Sequence, residues 1–416
     1  MVIIKQNNPI DIKAKKQMLF SFTAVYMLSF LCLLNCINAI SSSILGIRTS
    51  LDTMACYGVL ILCVALSAGA ILFFDNIKAD VLLLFFFMIA MFVVTDMFQS
   101  QNLEYINTSW RDYANNSLYI LFVYAMPAYA LVRYLDDLTY FEKYLRIFSY
   151  VVVSLSIIIY FFAADSFANQ YMTLSYNMLL QLFYLTLYPP KNMRILHYVF
   201  VGVGLFVLVF GGARGALVGF MSGLAFHIFF RNEQRDIKIF KIVLLVIGAV
   251  VVSLFYSEML MFLDKMLEAM GIESRTLDSL MYADTDVSSG RFGLYQEIVQ
   301  DYTALGNGLF SDRELLGGRY VHNMFLEWLS NYGLIVGTGF ILMFILIFFG
   351  ALRNNKNQYW KYLMLLIPNG VIGMMFSGSY LLQSPWFYAM LGMCVNTVTV
   401  RKKKSLVRKK KGGDSN

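Results

Sequence analysis

Charge is what this sequence has least of. Only 14% of its 416 residues are Asp, Glu, Lys or Arg, against 59% hydrophobic. Soluble domains carry about 25% charged residues, so the chain lacks the polar surface that water requires. That excludes a cytosolic enzyme, a secreted disulfide scaffold and a disordered chain. Six prolines and 28 glycines exclude collagen-like and low-complexity sequence. Histidine occurs three times, with no HxH, HxxxH or HExxH spacing. The five cysteines, Cys32, Cys36, Cys56, Cys63 and Cys394, all lie in apolar stretches, and no CxxC occurs. They read as small buried hydrophobes, and neither a metal nor any other cofactor is expected. What the chain has instead is long, continuous apolar runs. These mark a polytopic α-helical membrane protein, because the strands of a β-barrel would alternate in polarity.

Twelve spans are expected, at about 18–40, 54–74, 79–95, 117–135, 145–164, 171–188, 195–210, 212–230, 239–262, 322–350, 360–380 and 384–400. Each approaches the roughly 20 residues needed to cross the hydrocarbon layer. The seventh and eighth are separated only by Gly211-Gly212, and the over-long tenth is expected to break near Gly333 or Gly337. The first is too long for a signal-peptide core and is expected to be retained. Alternating loops then place 25 of the 33 Lys and Arg on the side of the N-terminus and 8 on the other. The positive-inside rule makes the first side cytoplasmic, with both termini inside. The net charge of +7 is thereby explained: eight basic residues sit in the tail 401–416, an anchor on anionic membrane lipid rather than a nucleic-acid surface. The whole chain reads as one membrane domain, with a single large outer loop at 263–321.

That loop carries ten acidic and five basic residues. Its length implies a function. From Arg291 to Tyr302 the apolar spacing of Leu294, Ile298 and Tyr302 predicts a short helix, with Asp284, Asp286, Ser288 and Ser289 as candidate capping groups.

Three features share the outer side. Arg214, in Gly211-Gly212-Ala213-Arg214-Gly215-Ala216, opens the eighth span, and Gly215, Gly219 and Gly223 allow close helix packing behind it. An arginine at that depth either has a partner or snorkels to the interface. Arg291 opens the loop helix, where a solvated surface ion pair is the plainer reading of it alone. His322 is the outer side's one histidine, at a helix start whose dipole favours the neutral ring. Taken singly it is an interfacial histidine. Together the three suit one task. Arginines bind phosphate oxygens bidentately and stabilise a departing diphosphate, while a neutral imidazole orients or deprotonates a hydroxyl.

The segments GGARGA around Arg214, SSGRFGLYQEIV from Ser288 and HNMFLEWLSNYGLIVG from His322 resemble the O-antigen polymerase and O-antigen ligase superfamily of bacterial inner-membrane glycosyltransferases. The resemblance covers about 200–345; the earlier half is similar only in hydropathy and span number. It implies a GT-C-like helical fold acting on an undecaprenyl-diphosphate-linked oligosaccharide at the periplasmic face. By its pattern Arg214 and Arg291 grip the donor diphosphate, and His322 serves the acceptor hydroxyl. Arg313, Arg319, Asn323 and Tyr295 are further expected substrate contacts, and a chain-length regulator is a possible partner. Tyr320 and Trp328 are candidate sugar-stacking surfaces, with core packing the alternative. Glu327 is expected to cap a helix face. The His-Asn pair followed by Phe325-Leu326 favours polymerase over ligase, and a capsule or exopolysaccharide polymerase belongs to the same class. From a different class, a transporter would show charges near mid-membrane and internal repeats, and neither is visible.

Overall fold

Apolar runs of this length satisfy their backbone polar groups only by coiling into helices. The computed structural model describes residues 9–43, 50–106, 117–162, 171–210, 214–243, 261–262, 264–266, 291–376, 378–382 and 385–413, and these contain no strand. In chain order the principal helices are α1 (Pro9–Ser43), α2 (Ser50–Phe74), α3 (Ala79–Phe98), α4 (Met126–Arg133), α5 (Thr139–Phe162), α6 (Tyr171–Leu187), α7 (Arg194–Phe210), α8 (Arg214–Phe230), α9 (Arg291–Gln300), α10 (Ser311–Leu315), α11 (Met324–Leu352), α12 (Trp360–Ile367) and α13 (Pro385–Gly413).

Among the described residues, five stretches are long and apolar enough to cross a membrane: Ile12–Ser41, Thr53–Phe74, Ala79–Phe98, Thr139–Phe162 and Met324–Leu352. Shorter apolar helices accompany them, so the architecture is that of a helical, multi-pass membrane protein. Two expected spans are interrupted rather than regular. The fourth enters α4 through a π-helical turn, Ile120–Ala125, and the eleventh leaves α12 through another, Pro368–Gly373. The expected ninth span lies largely outside the described residues, as do most of the outer loop before Arg291 and its four candidate capping groups. α13 runs on from the last apolar stretch into the basic segment, as far as Gly413.

The core is built on α1, α5, α6, α12 and α13. In α2 and α3 most side chains face outward, as lipid-facing helices must. Polar residues join helices where hydrocarbon offers no other partner: Thr23 to Ser67 (3.0 Å) and Gln181 to Ser29 (3.0 Å). Gly215, Gly219 and Gly223 bring α8 against α6 and the Pro368–Gly373 turn, since a Cβ at Gly223 would stand 2.6 Å from Pro368 and 2.9 Å from Phe183.

Polar contacts gather at the two ends of the bundle. One end holds Lys16–Asp75 (2.7 Å), Arg133–Asp80 (2.5 Å), Arg133 with Asn396, and Lys361–Glu142 (2.7 Å). All of these come from segments assigned by charge to one side. The other end holds Asn102 to the Asn307 carbonyl (2.7 Å), Thr95 to the Leu309 amide (2.9 Å) and Asn331 to Tyr380 (2.8 Å), from segments assigned to the opposite side.

The expected break in the long span falls at Gly333 (φ 78°, ψ 172°). Loop 303–308 enters there and completes the helix's hydrogen bonds. Leu334 and Ile335 donate to the carbonyls of Thr303 (2.9 Å) and Ala304 (3.1 Å). Asn307 and Gly308 donate to the carbonyls of Ser330 (2.9 Å) and Asn331 (3.2 Å). An irregular backbone is tolerated at this depth because it is embedded in protein and its polar groups are paired.

Candidate active site

The segment leading out of α9 is held by a small core of its own. Leu294 and Ile298 pack with Leu316 and Val321, and Tyr295, Tyr302, Leu315 and Leu326 lie around them. Fully burying each aliphatic side chain stabilises by about 1.5–3 kcal/mol, so this cluster ties Arg291, the first residue of α9, to the strand of chain that ends at His322. The Tyr302 hydroxyl adds a bond to the Leu326 carbonyl (3.3 Å).

Beneath it sits a closed polar cluster. Asp312 accepts from the Val321 amide (3.1 Å) and from Arg313 (3.0 Å). Arg313 also donates to Glu327 (3.4 Å) and to the Ser379 hydroxyl (3.0 Å), and Ser379 in turn donates to Glu327. The Tyr380 amide donates to the second Glu327 oxygen (3.2 Å). Two expectations change here. Arg313, expected to touch substrate, is buried and paired with Asp312, Glu327 and Ser379. Glu327, expected to cap a helix face, is instead a buried partner of Arg313, the Ser379 hydroxyl and the Tyr380 amide. An acidic residue in an apolar span needs such a partner, because its isolated burial is prohibitive. Replacing Arg313 by leucine strands the buried Asp312 carboxylate and takes a partner from Glu327, and should lower stability by about 3–5 kcal/mol. Arg319→Ala should leave thermal melting in detergent unchanged, since Arg319 is exposed and reaches Glu297 only at 3.9 Å.

This cluster sets the backbone of His322. The Val321 amide is clamped from one side. On the other, Asn323 is the N-cap of α11, its side-chain oxygen accepting from the amides of Phe325 (3.0 Å) and Leu326 (3.3 Å). Asn323 thus has a capping role where a substrate contact was expected. Between these fixed points His322 is forced to φ +57°, a left-handed conformation that residues other than glycine seldom adopt. Strain of this kind costs about 1–3 kcal/mol and is concentrated at functional positions.

The His322 ring is half-buried, with its centroid 3.9 Å from that of Tyr320. Its buried Nδ1 has no hydrogen-bond partner among the described residues. Burial first, then the nearby positive charges of Arg291 and Arg313, lowers its pKa to about 4. The ring is therefore neutral at pH 7, as expected, though desolvation and two arginines hold it so, and the α11 cap belongs to Asn323. Burial likewise pushes the Tyr320 hydroxyl up to about 12, against the pull of Arg313, so it remains a neutral phenol. The sign for activity follows. A His322 that must be neutral loses function only as pH falls through about 4, instead of near the ordinary 6.5. A pH–rate profile on the acid side should accordingly stay flat through pH 6.5.

The third motif arrives through Tyr176 of α6. Its hydroxyl would lie 1.7 Å from a Cβ placed on Gly215, and it is close enough to Tyr320 for the two hydroxyls to interact electrostatically. Tyr176 therefore connects the start of α8 to the Tyr320–His322 segment, and the first residue of α8 is Arg214, whose side chain lies outside the described residues. Arg291, half-buried, makes no ion pair among the described residues. The structure thus brings together Arg291, His322, Tyr320, Tyr176 and the backbone at Arg214. It keeps apart Arg319 on the surface, Tyr295 in the small core, and Trp328, which is buried among Phe325, Phe344, Tyr380 and Phe387. Sequence reasoning missed Tyr176, one tyrosine among 27 in an apolar run. It also missed Asp312 and Ser379. Glu327 carried a signal that was open to reading: a carboxylate inside an otherwise apolar helix.

Chemically, the arrangement offers a guanidinium that makes no ion pair among the described residues, beside a neutral, strained imidazole whose Nδ1 has no hydrogen-bond partner among them. No family model, curated protein or solved structure matches the chain.

Proposed function

We propose that the chain is a metal-independent membrane glycosyltransferase that polymerises polysaccharide repeat units, an O-antigen polymerase in kind. It would span a bacterial inner membrane twelve times, with both termini cytoplasmic, a GT-C-like fold and the site on the periplasmic face. The observation that carries this reading is the meeting of Arg291, neutral His322 and the head of α8 at one end of the bundle.

In the reaction, Arg291 and Arg214 bind the diphosphate oxygens of the undecaprenyl-linked donor, and a planar guanidinium suits two such oxygens at once. The acceptor hydroxyl of a second lipid-linked repeat unit approaches the donor's anomeric carbon and donates its hydrogen bond to His322. A new glycosidic C–O bond forms there as the bond to undecaprenyl diphosphate breaks, its electron pair leaving with the diphosphate. The arginines stabilise that growing charge. With a pKa of about 4 the imidazole is a weak base. It orients the hydroxyl early and accepts the proton late, once the attacked carbon has acidified it. Tyr176 and Tyr320 offer ring faces and hydroxyls to sugars beside the diphosphate. A chain-length regulator is the candidate protein partner of this reading.

Arg291→Lys keeps the charge and loses the planar fork, so it should retain only a few per cent of activity; near-normal polymer would remove the bidentate role. A lipopolysaccharide gel from a strain lacking the gene separates the related readings. Core bearing a single repeat unit means polymerase. Bare core with long glycan still on undecaprenyl diphosphate means ligase.

A further inference from the structure

At the opposite end of the bundle from Arg291 and His322, a cleft of about 540 Å³ opens between the first turns of α5 and the start of α12. We propose that it binds the headgroup of an anionic phospholipid, whose acyl chain lies along α5.

The charge arithmetic comes first. Lys143, Arg146 and Lys361 line the cleft, with Asp137 and Glu142 as its acidic residues. Both carboxylates are already engaged. Asp137 accepts from the Thr139 amide (2.9 Å), and Glu142 accepts from Lys361 (2.7 Å), Arg146 (3.4 Å) and the Tyr362 hydroxyl (2.9 Å). Lys143 is exposed and makes no ion pair among the described residues. Arg146 has donors to spare after Glu142 and Tyr184, because a guanidinium carries five N–H groups. An incoming phosphate therefore meets a net positive rim without having to displace an existing pair.

The second observation is apolar and independent of charge. Ile147, at the cleft's edge, is exposed, and so are Val151, Ile158 and Phe162 further along α5. At 3.6 residues per turn these four fall on one face. The stripe runs about 22 Å at 1.5 Å per residue, more than the roughly 15 Å depth of one leaflet's hydrocarbon. A soluble phosphate compound would have no use for it. A phospholipid has one end for the cations and another for the stripe, and the order, cations at the bundle end and hydrocarbon inward, matches its orientation in a leaflet.

The test uses the full chain in detergent, titrated with phosphatidylglycerol or phosphatidylcholine and read by native mass spectrometry. Phosphatidylglycerol should bind about tenfold more tightly than phosphatidylcholine. Lys143→Glu should cut that preference by about fivefold, Lys143→Arg should keep it, and both should melt as the parent does, Lys143 being exposed. Millimolar inorganic phosphate should leave the bound lipid in place. Equal binding of the two lipids, an unchanged preference in Lys143→Glu, or displacement by phosphate alone would overturn the assignment; the last would make the cleft a site for a soluble anion.

Discussion

His322→Ala should reduce polymer formation by about 10²–10⁴-fold, the usual contribution of a positioned acid–base group, without lowering the melting temperature. Alanine at a left-handed φ of +57° is strained, as histidine already is, so the backbone cost is nearly unchanged. Removing the ring also removes a buried Nδ1 that nothing in the described structure satisfies, which is a gain in stability. A catalytic loss with an unchanged or raised melting temperature is the signature of a group placed for substrate. A merely structural histidine would show the reverse, with stability and activity falling together. His322→Asn sharpens the distinction, since asparagine tolerates the left-handed region and supplies an acceptor oxygen near the same place. It should fold as well as the parent and recover a small part of the lost rate.

Gly333→Ala should have the largest effect on the fold itself. A Cβ there would stand 2.2 Å from the Gly306 nitrogen, 2.4 Å from the Leu305 carbonyl carbon and 2.5 Å from the Ala304 oxygen, all backbone atoms that cannot step aside. The conformation, φ 78° with ψ 172°, is in addition one that essentially only glycine adopts. Expelling loop 303–308 would cost the four backbone hydrogen bonds that complete α11, and buried unpaired groups cost about 1–3 kcal/mol each. The loop also carries the chain from α9 to α10, so the spacing of Arg291 and His322 would go with it. The expected outcome is loss of the monodisperse peak in fluorescence-detected size exclusion, or a melting temperature lowered by at least 10 °C. Gly339→Ala is the control. It lies on the same helix with nothing within 4 Å of an added Cβ, and should be neutral or slightly stabilising.

Gly333 shows where sequence reading succeeds and where it stops. The break at Gly333 was legible because an apolar run of 29 residues exceeds what a bilayer needs, and glycine is where such a run gives way. What fills the break was not legible. Loop 303–308 inserts through main-chain hydrogen bonds, which carry no side-chain signature. The edges of α3 and α7 were read to within a few residues because hydropathy changes sharply there. The π-helical turns at Ile120–Ala125 and Pro368–Gly373 were not, since their residues are as apolar as their neighbours.

At the candidate site, His322 stands out in the sequence because it is the one histidine on the side assigned as outer, and Arg291 because it opens the loop's one helical pattern. Their stage was hidden. Arg313 looked like another free arginine until Asp312, Glu327 and Ser379, up to 66 positions away, were seen closing around it. Asn323 carries an N-cap signal, a polar side chain immediately before an apolar helical run. Tyr176 owes its place to Gly215, a contact between α6 and α8 that no local pattern encodes.

The central claim is that this end of the bundle joins lipid-linked sugars. Its most direct test is turnover by the purified protein. The full chain, reconstituted in liposomes with an undecaprenyl-diphosphate-linked repeat unit from its own source strain, should extend that substrate into a ladder of longer glycans and release undecaprenyl diphosphate. The His322→Ala protein should leave it unchanged. Substrate that stays at one repeat unit with the parent protein, or that crosses the bilayer intact, would contradict the account, the second result pointing to a transporter.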